Sequence, residues 1–173
     1  MRAAGLLDAS IPFGSYALLF GIVLAVSGFA FKIAAVPFHM WVPDVYAGSP
    51  TSVTVYLASA PKIAAFVIIL RLLAISLEPL LEVWQDMLIA VALLSIGLGN
   101  VVAIAQQNIK RMLAYSGISH MGFFLLGILS GTADGYAASL AYILIYALIT
   151  VGTFAVVLSL SGPNREAERL NDY

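Results

Sequence analysis

A chain of 173 residues that is 62% hydrophobic and 10% charged, with a mean hydropathy of +1.01, lies far from the roughly 25% charged norm of soluble domains and belongs in lipid. A formal net charge of −1 and no basic cluster beyond Lys110-Arg111 argue against a nucleic-acid partner. The absence of cysteine excludes iron–sulfur clusters, thiolate zinc sites and disulfides, and no GxGxxG or GKS/T loop is present for a nucleotide, so any associated redox chemistry happens elsewhere.

With about 20 residues needed per crossing, the apolar runs predict an all-α membrane protein of five spans, near 17–44, 51–76, 87–106, 109–130 and 136–160. Residues 1–16 read as an N-terminal extramembrane segment, 17–160 as the transmembrane domain and 161–173 as a polar tail. Arg2 followed by an apolar stretch resembles a secretory signal, but a stretch of about 21 residues exceeds the core of a signal peptide, and Asp8 sits in what should be a positive leader. The first span is therefore read as retained.

That span carries Lys32, with Pro37 five residues on; the second carries Lys62 directly after Pro61. An ammonium near the bilayer middle costs about 2.5–3.5 kcal/mol on insertion scales, so two of them point to use rather than tolerance. Lys32 lies fifteen residues before Ala47 and Lys62 fifteen after it, which sets them at matching depth on two antiparallel spans. Gly21, Ala25, Gly28, Lys32, Ala35 and His39 recur at intervals of three and four, a small-residue stripe expected to face protein and to aim Lys32 into a bundle or cavity. Each proline removes a backbone donor, freeing the carbonyls of Ile33 and Leu57. A broken helix with a lysine and trapped water is a plausible proton station.

The third span offers Asn100. The fourth places His120 on one face with Ser116, and the fifth has a Tyr142, Tyr146, Thr150, Thr153 stripe. Histidine titrates nearest neutral pH and passes a proton through either ring nitrogen. Structural readings stand beside these: Lys62 pairing with a carboxylate or carbonyl, Lys32 snorkelling from a helix that ends at Pro37, His39 lying at the interface or serving as a satisfied structural histidine, and the tyrosines and threonines acting as interhelical glue. Trp41, Tyr46 and Trp84 are placed as interfacial anchors would be. Arg2 and Arg71 fall on one side, against Lys110, Arg111, Arg165 and Arg169 on the other, so the positive-inside rule puts the PDVYAGSP loop and the tail in the cytoplasm.

The segments FKIAAVPFHMWVPDVYAGSPTSVTVYLASAPKIAAF, GNVVAIAQQNIKRMLAYSGISHMGFFLLG, YILIYALITVGTFAVVL and EAERLNDY resemble the subunit N family of proton-translocating NADH-quinone oxidoreductase (respiratory complex I), within the antiporter-like membrane subunits. The lysine after SAP, with VPFH and PDVY, favours this family over its L and M relatives. The resemblance implies an inverted-repeat fold with broken helices in a bacterial inner membrane. It also implies a central proton path through Lys32, Lys62 and His120, with other complex I membrane subunits as partners. No cofactor is expected on this chain; FMN, iron–sulfur clusters and quinone are implied on other subunits. A family member has about fourteen helices, so five make a partial subunit, whose glutamate partner for Lys32 lies outside it. Ser52 stands where proline is frequent. The rival expectations are a cation/proton antiporter or membrane hydrogenase subunit of the same fold, and a structural fragment without transport.

Overall fold

The computed structural model describes residues 12–161 and 169–170, with side chains described from residue 16. Most of the expected extramembrane segment, including Arg2 and Asp8, and most of the polar tail, including Arg165, fall outside the described residues. Five helical stretches are long and apolar enough to cross a membrane: Tyr16–Ile33, Thr51–Ser76, Glu78–Ile104, Ile109–Leu129 and Ala133–Leu160.

The first helix, α1 (Pro12–Ile33), stops well before the expected residue 44. Ala34 adopts φ +63°, its N–H donates to the Phe31 carbonyl at 3.1 Å, and the Ala35 N–H reaches back to the Ala30 carbonyl at 2.7 Å. This pairing is a Schellman cap. The chain ends its helix four residues before Pro37, whose peptide bond to Val36 is cis. Pro37 thus sits inside a break rather than causing one by a lost donor within a continuous helix.

The connector PDVYAGSP is not a loop: it supplies most of α2 (Trp41–Gly48). The second crossing is also interrupted. It comprises α3 (Thr51–Ala58) and α4 (Ala60–Ile69), separated at Ser59, whose hydroxyl donates to the Val55 carbonyl at 2.7 Å. A π-helical stretch, Leu70–Ser76, and a short 3-10 turn, Glu78–Leu80, lead into α5 (Leu81–Ile104). This helix begins six residues earlier than expected, with Glu82 in its first turn, where a carboxylate complements the helix dipole. After it come α6 (Ile109–Leu129) and α7 (Ala133–Leu160). Asn108 caps α6, its side-chain oxygen accepting from the N–H groups of Lys110 and Arg111 at 2.9 and 3.1 Å. Thr132 caps α7 through the Gly135 N–H at 3.2 Å.

The core lies among α1, α4, α5, α6 and α7, with Phe66 edge-on to Phe124 at 5.5 Å. On α1 the buried stripe is Ile22, Val26, Ala30 and Ile33, adjacent to the small-residue stripe expected to face protein. Within the described chain Gly21 and Gly28 open onto empty space and Lys32 is exposed, whereas Ala35 and His39 are buried. The larger apolar side chains bury more surface and win the packing.

Glycine contact sets the spacing of α5 and α6. A Cβ on Gly99 would lie 2.7 Å from the Ser119 nitrogen, and one on Gly122 would lie 2.8 Å from the Ala92 carbonyl oxygen. Close backbone approach of this kind is how helices pack in lipid.

Of the three expected interfacial aromatics two are buried. Trp84 is fully buried and donates to the Leu77 carbonyl at 3.0 Å, and Tyr46 is 1% exposed. Trp41 stays partly exposed, its Nε1 donating to the Phe31 carbonyl at 3.1 Å at the end of α1. At one end of the bundle, Arg111 meets Asp44 at 2.7 Å, the Lys110 ammonium donates to the Ser49 carbonyl at 3.2 Å, and the Leu170 N–H donates to the Gln107 carbonyl at 3.0 Å. The PDVYAGSP segment, the α5–α6 turn and residues 169–170 thus share one end of the molecule.

Candidate functional site

Lys62 emerges from the first turn of α4, just past Pro61 and the interruption at Ser59. It is 5% exposed. Its Nζ donates to the Tyr146 hydroxyl at 3.0 Å and lies 4.9 Å from the centroid of the same ring, so hydrogen bonding and cation–π attraction share one partner. Tyr46 lies close enough to interact electrostatically with the ammonium. No described salt bridge involves Lys62, and the Tyr146 hydroxyl takes the place of the carboxylate that a buried ammonium ordinarily uses.

Space for the pair comes from a missing side chain. Gly117 of α6 faces it, and a Cβ there would lie 2.8 Å from the Tyr146 oxygen and 3.1 Å from Lys62 Nζ. Neither Tyr46 nor Gly117 was indicated by the sequence pattern.

His120 sits one turn along α6. Its Nδ1 lies 2.7 Å from the Tyr142 hydroxyl, and its ring centroid is 5.2 Å from that of Tyr146. Lys62, Tyr146, His120 and Tyr142 therefore form a file of polar groups, with Tyr146 in contact with both basic residues.

Two cavities flank the file. The larger, about 170 Å³, is bordered by Tyr46, His120, Tyr142, Tyr146 and Thr150, and also by Ser116 and Thr153. At ~30 Å³ per liquid water molecule it has room for several, and its hydroxyl and imidazole groups supply hydrogen-bond partners. The smaller, about 70 Å³, is lined by Lys32, Trp41, Tyr46, Leu57, Pro61 and Lys62, together with Ala34 and Val42. Both lysines border this one space. Lys32 occupies the last turn of α1, where a cation complements the helix dipole.

Two expectations fall elsewhere. Asn100 is exposed and donates to the Ile96 carbonyl of its own helix at 2.9 Å, because its side chain finds a backbone partner one turn back. His39 is 9% exposed, edge-on to Tyr115 at 6.2 Å, and its Nδ1 is buried without a hydrogen-bond partner among the described residues. The break after α1 folds it inward against α6. Among the described residues no three His, Asp or Glu side chains gather to hold a metal.

Comparison with known proteins places this geometry in context. The pattern of the family described as "NADH:quinone oxidoreductase/Mrp antiporter, TM" matches residues 5–173. NADH-quinone oxidoreductase subunit N of Thiobacillus denitrificans is 55% identical over 166 residues, covering 96% of this chain and 33% of the relative. The protein of the same name from Thioalkalivibrio sulfidiphilus is 57% identical, covering 90% of this chain and 32% of its own length. Among solved structures, respiratory complex I from Thermus thermophilus superposes with a TM-score of 0.69 at 36% identity, covering 93% of this chain and 34% of the matched chain. The chain thus spans about a third of the length of the relatives it matches.

Proposed function

The chain belongs to the NADH:quinone oxidoreductase/Mrp antiporter transmembrane family, and we propose that it carries protons through an inner membrane while other subunits pass electrons from NADH to quinone. Lys32 receives or releases a proton at the smaller cavity, Lys62 holds it at the centre, and Tyr146, His120 and Tyr142 pass it along the larger one. FMN, iron–sulfur clusters and quinone belong to the other subunits in this reading. The PDVYAGSP segment and the tail face the cytoplasm.

One observation carries the reading: a buried lysine bordering one cavity donates to Tyr146, which borders the other and packs against a histidine ring. An ammonium in this setting donates to the Tyr146 hydroxyl. A neutral amine accepts from it instead, so loading and unloading the lysine reverses the direction of that hydrogen bond. A lysine paired with a carboxylate lacks that freedom, because the carboxylate holds it charged.

The test is Lys62→Met in the complete complex, with proton translocation into membrane vesicles followed alongside NADH oxidation. Translocation falls by about tenfold, a barrier change of ~1.4 kcal/mol, while the complex still assembles. Unchanged translocation and electron transfer would overturn the proposal.

A further inference from the structure

Tyr46 is the one residue, among those described, that borders both cavities. Lys62 and Lys32 line only the smaller, and Tyr146 and His120 only the larger. The Tyr46 ring is 1% exposed and packs edge-on against Phe154 of α7 at 6.2 Å and 74°. Its backbone carbonyl accepts from the Thr54 hydroxyl at 3.3 Å, which ties the short α2 to α3. The ring therefore stands between the two spaces, and its hydroxyl is close enough to Lys62, with which it lines the smaller one, for the two groups to interact.

We propose that Tyr46 is a relay residue and partition, through whose hydroxyl a proton leaves Lys62 for the larger cavity, in series with the Tyr146, His120 and Tyr142 file. This rests on the reading of Lys62 as a proton carrier. In the step, an N–H bond of the Lys62 ammonium breaks as a new O–H bond forms at the Tyr46 oxygen. The hydrogen originally on that oxygen passes to water in the larger cavity. One proton enters the hydroxyl and one leaves, the positive charge moves from nitrogen to water, and rotation about the C–O bond restores the starting geometry. Tyr46 is the one residue common to the two described linings, so in this route protons cross there by hopping.

Groups facing Tyr46 are Lys62 from α4, Lys32 across the smaller cavity, and His120, Tyr142 and Tyr146 across the larger. Tyr46→Phe in the complete complex keeps the ring and removes the hydroxyl. Translocation is expected to fall roughly tenfold, the low end of what a positioned acid–base group contributes. A fluorinated tyrosine at the same position keeps the hydroxyl, restores translocation and moves its pH profile toward lower pH. A Tyr46→Phe complex that pumps at the parent rate overturns the assignment, as does a fluorinated variant with an unmoved profile, which also decides the matter should the Phe variant fail to assemble. Lys62→Met separates the two levels. If it is impaired while Tyr46→Phe is not, only the role of Tyr46 falls; if Lys62→Met pumps normally, the reading of Lys62 falls with it.

Discussion

The Lys110 ammonium donates to the Ser49 carbonyl at 3.2 Å, which pins the start of α6 to the junction of α2 and α3. Its neighbour Arg111 reaches Asp44 of α2 at 2.7 Å. The two contacts look alike but differ in surroundings. Lys110 is 1% exposed, whereas the Arg111 and Asp44 side chains are 38% and 74% exposed.

Lys110→Met is therefore expected to lower stability by about 1.5–3 kcal/mol, since it removes a charged donor and leaves a carbonyl short of a partner. Asp44→Asn should cost less than about 1 kcal/mol, the range of exposed ion pairs. Thermal unfolding of the detergent-solubilised complex compares them. Equal losses would contradict the burial difference.

Gly99→Ala should destabilise by about 1–3 kcal/mol, as overpacking does, because its Cβ would meet the backbone of Ser119 at 2.7 Å and α5 would have to move off α6. Gly97 is a control on the same helix, with nothing within 4 Å of its Cβ position. Gly97→Ala is expected to leave the complex as stable or up to ~1 kcal/mol more stable. The yield of assembled complex on native gels reports both.

Gly117→Ala has a different outcome. The new methyl would crowd Tyr146 Oη and Lys62 Nζ, the far ends of flexible side chains, which can swing away without moving a helix. Stability should change by less than about 1.5 kcal/mol while proton translocation falls, giving an assembled complex that pumps poorly. A variant that pumps normally would show that the lysine–tyrosine spacing is unimportant.

Tyr146→Phe removes the hydroxyl that Lys62 donates to, and Tyr142→Phe removes only the partner of His120 Nδ1. Translocation should drop about tenfold in the first and clearly less in the second, with NADH oxidation measured in parallel. The reverse order would place the main proton route outside Tyr146.

The five apolar stretches long enough to cross a membrane and the shared face of Tyr142, Tyr146 and Thr150 were legible because lipid imposes length and helical period directly on sequence. Other parts depend on contacts no periodicity encodes. Tyr46 lies in a polar, proline-flanked segment that reads as a loop with an interfacial aromatic; only the folding of α2 against α6 and α3, where the ring meets Phe154 of α7, turns it inward. Gly117 contributes the lack of a side chain, which means nothing until Lys62 and Tyr146 are known to converge on it. Alanine rarely takes the left-handed conformation that ends α1, so the sequence points to Pro37 rather than Ala34. Small residues signal packing only when nothing bulkier on the same helix competes, which is why the stripe through Gly21, Gly28 and Lys32 is not the buried face of α1.

The glycine-mediated approach of α5 to α6 has a consequence for motion. A helix locked backbone to backbone along its length is a fixed rail, so His120 and the gap at Gly117 keep their positions whatever the lysine's charge. In the proton cycle proposed for this chain, changes are then absorbed opposite that rail, by the Tyr142 and Tyr146 side chains that α7 leans over it, and these are the swinging parts.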